Sequence, residues 1–217
     1  MRFRDHLYAR LESLPQREFQ AFPHHLLPRD STPAAVLLPL WPAADGGVEI
    51  VFTRRTETLP THAGQVSFPG GRHQQGDGSL EDTALREAGE ELGLERGAIT
   101  VMGRLDDAWS FHGHHVVPYV GWLQQRPALI PDPREVAEVL IADLRELNRP
   151  QAACRHEVQR DGRPHTTQAY RWDGGYVWGL TADILLELLL WINGQASNRG
   201  QHRLRRMLEQ VEGLGQV

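Results

Sequence analysis

A glycine-rich turn followed by an acidic helix is the most constraining stretch of this chain. The turn is Phe68-Pro69-Gly70-Gly71, and helical periodicity begins shortly after it. Ser79 is the predicted N-cap, because a serine hydroxyl can accept a hydrogen bond from the first helical turn. Gly93 predicts the end of the helix, since glycine readily adopts the left-handed conformation that closes a helix. The side of this helix expected to be buried is formed by Leu85, Ala88 and Leu92.

Three glutamates lie beside the apolar face of this helix. Glu87, Glu90 and Glu91 stand at i, i+3 and i+4, so their side chains are neighbours one turn apart. Clustered carboxylates repel one another, and Mg²⁺ or Mn²⁺ would offset the repulsion because hard cations prefer oxygen ligands. Arg86 is spaced to reach both Asp82 and Glu90 and so to fix the acidic face. The alternative is a solvated, Glu-rich surface helix, but the adjoining glycine turn favours the metal site.

The nine residues from Arg86 to Leu94, REAGEELGL, resemble the REUxEExGU core of the Nudix box, in which U is a bulky apolar residue. Two positions depart from the general pattern. Ala88 is small for its apolar position, and Gly78 stands where a glutamate is expected eight residues before the arginine. Asp77 is the nearest acid, and Gly71 lies six residues before it. This shifted spacing resembles the coenzyme A pyrophosphatase branch of the family.

The segment before the turn strengthens this resemblance. Residues 53–67, TRRTETLPTHAGQVS, are similar to the branch signature T-x-R-[ST]-x-x-L-R-x-H-x-G-Q-[VI]-[SA], which runs into F-P-G-G. Pro60 departs from it, because many members have arginine there. The resemblance covers roughly residues 34–190. It implies a Nudix-type α/β/α sandwich with a mixed sheet, and hydrolysis of coenzyme A or acyl-CoA to 3′,5′-ADP and a 4′-phosphopantetheine product.

The resemblance also implies roles for individual residues. Glu87 and Glu91 are the leading ligands for Mg²⁺ or Mn²⁺, and Glu90 shares the cluster. A backbone carbonyl of Gly70 or Gly71 could complete the coordination, while Arg86 would orient the acids.

Further candidate residues lie outside the box. The general base is either a box glutamate or Glu135. Glu135 could equally lie on the solvent face of a strand, and we expect that position for Glu138. The substrate-binding candidates are Arg54, Arg55, His62 and Gln65. For the two arginines, the alternative is a solvated loop.

Other functions stay open at this level. A Nudix hydrolase of ADP-ribose, NADH or another nucleoside diphosphate derivative would carry the same box. A non-catalytic nucleotide-sensing module is a third possibility, although the complete set of box acids argues against it.

The remaining pattern predicts strands, hairpins and further helices, which indicates an α/β fold with a mixed sheet between helices. The predicted elements are an amphipathic helix at Phe3–Leu14, strands at Ala34–Trp41, Val48–Thr53, Ala98–Leu105, His115–Leu123 and Glu135–Ile141, a short helix at Asp143–Asn148, a hairpin of Arg155–Arg160 and His165–Trp172, and an apolar helix capped by Thr181 that ends at Asn193. The predicted organisation is an N-terminal helix and lead-in (1–33), a Nudix domain (34–194) and a C-terminal tail (195–217). We expect the first helix to serve in packing or in a homodimer interface.

Composition limits the partners and the site chemistry. The net charge of −5 gives no general basic field, so we expect neither nucleic acid nor a membrane as partner. A nucleotide substrate therefore needs local positive charge, from bound metal and from arginine, since all 23 basic residues are arginines. Cys154 is the single cysteine, which excludes an internal disulfide and a multi-thiolate zinc site. The N-terminal residues lack the apolar run of a secretion signal, so a cytoplasmic location is expected.

A histidine-rich loop at residues 106–114 raises a zinc hypothesis. The carboxylate cluster instead implies a hard cation with oxygen ligands. We therefore expect these histidines to border a substrate pocket or to lie in solvent.

Overall fold

The computed structural model describes residues 3–14, 32–58, 62–109, 115–160 and 162–195. The helices in these ranges are α1 (Phe3–Glu12), α2 (Leu80–Leu92), α3 (Leu144–Leu147) and α4 (Gly179–Ile192). The strands are β1 (Pro33–Pro42), β2 (Val48–Arg55), β3 (Val66–Ser67), β4 (Gly70–Arg72), β5 (Ile99–Arg104), β6 (Ala108–Trp109), β7 (His115–Leu123), β8 (Val136–Asp143), β9 (Ala153–Arg160), β10 (Arg163–Trp172) and β11 (Gly175–Trp178). The helices and strands predicted from the sequence are confirmed to within a few residues. The sequence pattern does not predict β3, β4, β6 and β11, three of which have two or three residues and one of which has four.

A mixed sheet of eight strands forms the centre of the protein. β1 lies in its middle, parallel to β7 and antiparallel to β2 and β4. β5 and β6 pair with β7, while β3 and β8 pair with β2, all in antiparallel register. The parallel pair among antiparallel neighbours makes the sheet mixed, as the sequence predicts.

The two faces of this sheet pack against different helices. Along β2, Ile50 and Phe52 belong to one core, which includes residues of α1, α4 and β10. Val51 points to the other face and packs with Ala84 and Ala88 of α2. Successive strand residues point to opposite faces, so β2 divides its side chains between these two cores. This confirms the predicted sheet between helices.

A second antiparallel sheet, β9–β10–β11, packs on the face opposite α2. Trp172 of β10 lies with its ring centroid 5.2 Å from that of Phe52. Its indole N–H donates to the carbonyl of Ile141 at 3.3 Å. The predicted hairpin is therefore confirmed, and it forms part of a separate small sheet that covers β2.

Arg10 ties α1 to the end of α4. Its Nη2 atom donates to the carbonyl of Trp191 at 2.9 Å, and its guanidinium lies 4.4 Å from the centroid of that ring. The indole N–H of Trp191 donates in return to the carbonyl of Arg10 at 3.3 Å. Leu7 and Leu11 are fully buried, so the expected packing role of α1 is confirmed within one chain.

One predicted cap is wrong. α4 begins at Gly179, with Trp178 as its N-cap, so Thr181 lies inside the first turn. The Thr181 hydroxyl donates to the carbonyl of Val66 at 3.3 Å and therefore joins α4 to β3. In the described ranges, no helix combines the length and the apolar character needed to cross a bilayer. The predicted tail lies outside the described residues apart from Gln195.

Candidate active site

The ends of α2 are fixed by the two capping residues that the sequence predicts. The Ser79 hydroxyl accepts a hydrogen bond from the backbone N–H of Asp82 at 3.1 Å. Gly93 adopts a φ of 68°, in the left-handed region, and its N–H donates to the carbonyl of Gly89 at 2.9 Å. Both predicted caps are confirmed, so the register of the acidic residues along α2 is set from both ends.

The glycine turn lies directly against α2 because neither glycine carries a side chain. A Cβ at Gly71 would stand 2.4 Å from Oε1 of Glu87, and one at Gly70 would stand 2.4 Å from the carbonyl oxygen of Ala35. At Gly70 a larger residue would collide with the backbone of β1, and at Gly71 it would displace the Glu87 carboxylate from its position. The close approach of the turn to the Glu87 carboxylate and to β1 therefore requires both glycines.

Glu91 is a buried carboxylate between the turn and β2. Only 3% of the residue is exposed. Its Oε1 accepts from the backbone N–H of Gly70 at 3.3 Å, and its Oε2 accepts from the hydroxyl of Thr53 at 3.1 Å. Burial raises the pKa of Glu91 to about 7, although these hydrogen bonds and the charge of Arg55 oppose the rise. Glu91 is therefore held in one position, in surroundings that disfavour the ionised form of its carboxyl group.

Glu87 lies one turn earlier on the same side of α2 and is also buried. Its Oε1 lies 2.9 Å from Nη1 of Arg86. Burial raises the pKa of Glu87 above its usual range, Arg86 opposes this, and the charges of Glu90 and Glu135 add to it. Glu135 thus lies within electrostatic reach of Glu87. Unlike Glu87, Glu135 is exposed to solvent.

Arg86 makes a different set of contacts from the one the sequence predicts. Its Nε and Nη2 atoms donate to the two oxygens of Asp77 at 2.9 and 3.1 Å, and Nη1 donates to Glu90 at 2.8 Å. The predicted contact with Glu90 is confirmed. The predicted contact with Asp82 is wrong, because Asp82 binds Arg96 and the Ser79 hydroxyl instead.

Asp77, which binds Arg86, is itself fixed by further hydrogen bonds. Its Oδ2 accepts from the Thr83 hydroxyl at 2.9 Å and from the backbone N–H of Gln74 at 3.0 Å. Arg86 and these donors hold the pKa of Asp77 well below its usual range. The sequence pattern indicates Asp77 only as the nearest acid to an expected glutamate. Its role could have been inferred from its position two residues before the N-cap Ser79, since the chain there leads directly into α2.

Glu90 differs from the other two glutamates. Its side chain is 59% exposed and bound to Arg86, whereas Glu87 and Glu91 point into the protein. Across the described ranges, no group of three His, Cys, Asp or Glu side chains is gathered as a ready-made metal site. The assignment of Glu87, Glu90, Glu91 and Gly71 as metal ligands stays a prediction.

The two arginines at the end of β2 lie in different surroundings. Arg55 is half-buried, and its Nε atom is buried without a hydrogen bond in the described part of the chain. Its charge acts on Glu91, so Arg55 is on the α2 side of the sheet. The Nε atom of Arg54 instead donates to Oε2 of Glu138 at 2.7 Å. Glu138 thus has an exposed position, as expected, but is paired with Arg54.

The other two predicted substrate-binding residues lie in a turn beside Arg55. Nδ1 of His62 is 2.9 Å from Oε1 of Gln65, and the carbonyl of Gln65 accepts from the N–H of Arg55 at 3.0 Å. Next to it, the N–H of Thr56 donates to the carbonyl of Glu135 at 2.9 Å. Backbone hydrogen bonds therefore bring the candidate base and the substrate-binding segment together at the end of β2.

Asp107 of the histidine-rich loop contacts a buried histidine at the start of β7. Nε2 of His115 lies 2.7 Å from Oδ2 of Asp107, which also binds Arg104. Residues 110–114, including two of the predicted loop histidines, lie outside the described residues.

Comparison with known proteins identifies the family. The NUDIX domain family matches residues 31–161. Nudix hydrolase 22, a chloroplastic protein of Arabidopsis thaliana, is 38% identical over 159 residues, which cover 70% of this chain and 53% of that relative. This chain thus spans about half the length of the plant protein.

A bacterial relative is covered more completely. "Uncharacterized Nudix hydrolase NudL" of Photorhabdus laumondii is 38% identical over 155 residues, which cover 71% of this chain and 82% of the relative. The crystal structure of a MutT/nudix family protein from Enterococcus faecalis aligns with 91% of this chain and 71% of its own, at 17% identity and a TM-score of 0.49. The extent of the family match and the identity to the bacterial protein show that this chain belongs to the Nudix hydrolase family.

Proposed function

We propose that this protein hydrolyses the pyrophosphate bond of a nucleoside diphosphate derivative with the help of a divalent cation. We further propose that coenzyme A or an acyl-CoA is the substrate. The observation that carries the proposal is the pair of buried carboxylates, Glu87 and Glu91, on one side of α2 against the Gly70–Gly71 turn. Two buried acids without a cation between them are unfavourable, so the site suits a positively charged ligand.

The residues present fit Mg²⁺ or Mn²⁺. The buried donors are carboxylate oxygens, and hard divalent cations prefer oxygen ligands. Glu87 and Glu91 would hold the ion, with Glu90 and a carbonyl of the glycine turn as further ligands. When bound, such an ion supplies Lewis acidity to phosphoryl oxygens and to an attacking water.

The protein's own residues supply orientation and local positive charge. Asp77 anchors Arg86, and Arg86 holds the carboxylates of Glu87 and Glu90. Arg55 has a buried Nε without a hydrogen bond in the described ranges, and we assign it to a phosphoryl oxygen of the pyrophosphate. A guanidinium is suited to this task because its donors match the geometry of phosphate.

The proton of the attacking water goes to Glu135 or to a box glutamate. Glu135 is exposed and within electrostatic reach of Glu87, as expected for a base that must meet both water and substrate. A Glu135→Gln variant separates the two assignments. We expect it to lose turnover while it keeps substrate affinity if Glu135 is the base.

The choice of coenzyme A depends on the signature in residues 53–67. In its described part, this segment includes the end of β2 and β3, and Gln65 accepts a hydrogen bond from Arg55, whose charge acts on Glu91. The expected products are 3′,5′-ADP and a 4′-phosphopantetheine compound. ADP-ribose and NADH carry the same bond and are the competing substrates.

Mass-spectrometric product analysis tests the proposal. Coenzyme A, ADP-ribose, NADH and Ap₄A are each incubated with the full chain and Mg²⁺ at matched concentrations. We expect 3′,5′-ADP from coenzyme A at the highest kcat/KM. Cleavage of ADP-ribose or NADH with coenzyme A untouched refutes the coenzyme A assignment and leaves the pyrophosphohydrolase. Cleavage of none of them, with binding intact, supports a nucleotide-sensing module.

A further inference from the structure

Arg54 and Arg55 point to opposite faces of the main sheet. Thr53 bonds to Glu91 of α2, and Arg55 follows it by two residues, so both side chains lie on the α2 face. Arg54 follows Phe52 by two residues and shares the opposite face, against which the second sheet packs. The two guanidinium groups therefore leave the strand on opposite sides of the sheet.

The guanidinium group of Arg54 is hydrogen-bonded through its Nε atom, which leaves its two Nη atoms for other contacts. Its Nε atom donates to Glu138 at 2.7 Å, and the Arg54 side chain is 38% exposed. A guanidinium has five N–H donors in a fixed fork. Neither Nη atom of Arg54 makes a hydrogen bond within the described part of the chain, so the outer edge of the fork is available to a ligand.

A register shift in β8 accompanies the contact between Glu138 and Arg54. Glu138 lies opposite Arg54 across the β2–β8 ladder, but Arg55 lies opposite Val136, so Ala137 is skipped. Such a bulge re-aims side chains at a strand end. It leaves Glu138 on the same face as Arg54, and Val136 is buried opposite Arg55.

We propose that Arg54 forms a subsite for a second phosphate of the substrate, a phosphate monoester on the nucleoside, and that Glu138 is its positioning residue. Glu138 fixes the guanidinium through Nε and leaves the Nη edge for a bidentate contact with the phosphate. This subsite rests on the proposed function, because it extends the pyrophosphate site across the end of β2. Arg55 serves the scissile pyrophosphate, while Arg54 distinguishes nucleotides by the presence of the extra phosphate.

Ligand binding tests this subsite without requiring turnover. The full chain is titrated calorimetrically, with Mg²⁺ present, with adenosine 3′,5′-bisphosphate and with adenosine 5′-monophosphate. We expect the bisphosphate to bind about tenfold more tightly, the scale of a charge-assisted hydrogen bond to an exposed group. Arg54→Ala should remove this difference and leave the affinity for the monophosphate unchanged. Equal affinity of the unmodified protein for both nucleotides overturns the proposal.

Two variants of Glu138 test its positioning role. Glu138→Gln keeps an oxygen that accepts from Nε and should retain most of the preference, whereas Glu138→Ala should lose most of it. Tighter binding of the bisphosphate to Glu138→Ala contradicts the role, since Glu138 would then compete with the phosphate. Arg126→Ala is the matched control, because Arg126 is 59% exposed and lies 3.5 Å from Glu49 near the other end of β2. It should keep the full preference.

The outcome is independent of the hydrolysis assay. If coenzyme A is not cleaved but the Arg54-dependent preference holds, the substrate assignment fails and the subsite stands. If coenzyme A is cleaved and the preference is absent, the subsite fails alone.

Discussion

Replacement of Glu91 by glutamine tests whether the ionised Glu91 carboxylate lowers the stability of the folded protein. Without metal, burial raises the pKa of Glu91 to about 7 from an ordinary value of 4.5. A pKa difference of about 2.5 corresponds to about 3 kcal/mol, at about 1.4 kcal/mol per unit. Because the folded pKa is the higher one, the stability associated with Glu91 is fully present below pH 4.5 and is lost as the pH rises through 7.

Glu91→Gln removes this loss while keeping the contacts of the side chain. The amide oxygen can accept from the N–H of Gly70, and the amide nitrogen can donate to the hydroxyl of Thr53, whose own contact with Glu91 is 3.1 Å. At pH 8 in EDTA we expect the variant to gain about 3 kcal/mol in free energy of unfolding. For a chain of this size that corresponds to a rise in Tm of roughly 6 to 12 °C. At pH 5 the gain should fall below about 1 kcal/mol.

Thermal and urea unfolding at both pH values measure the effect. Glu90→Gln is the matched control, since the Glu90 side chain lies on the same helix but is 59% exposed, and it should show no such pH-dependent gain. Saturating Mg²⁺ should stabilise the unmodified protein and reduce the advantage of the glutamine variant. A Tm difference that is the same at pH 5 and pH 8 refutes the reasoning about the buried charge.

The other predictions concern catalysis. Glu87→Gln should lower kcat/KM on the order of 10³-fold, because a charged ligand of the cation is lost; near-normal turnover would remove Glu87 from the site. Asp77→Asn should lower kcat on the order of tenfold, because Arg86 loses its anchor, whereas Asp82→Asn should not, since Asp82 binds Arg96 instead; equal effects of the two would contradict this role. EDTA should abolish activity and Mg²⁺ alone restore it, while loss of activity with a zinc-selective chelator would favour the histidine-rich loop. Arg55→Ala should lower kcat/KM for every pyrophosphate substrate alike, and a loss confined to coenzyme A would contradict its assignment.

Features that depend on local spacing could be predicted from the sequence. Ser79 and Gly93 end α2 as expected because caps act within one turn of the residues that they satisfy. The apolar face of α2 follows from helical periodicity, and the burial of Leu85 and Leu92 confirms it. The β1–β2 hairpin likewise follows from the turn sequence Asp45-Gly46-Gly47 between two apolar runs.

Contacts between distant residues could not be predicted in the same way. Helical spacing allows Arg86 to reach Asp82, but Arg96 binds Asp82, and the loop before α2 brings Asp77 to Arg86. The hydrogen bond from Thr53 to Glu91 joins residues 38 positions apart. The different surroundings of Arg54 and Arg55 depend on which face of β2 meets α2, and that is decided by packing.

The contact between Arg10 and Trp191 bears on the order in which the protein folds. The two residues are 181 positions apart, so the contact cannot form until most of the chain has left the ribosome. At about 5 to 20 residues per second, α1 waits roughly 10 to 40 s for α4 to be synthesised. A helix of ten residues is marginal alone, so α1 gains its stability in the closing step of folding. Changes at Arg10 should therefore speed unfolding more than they slow folding.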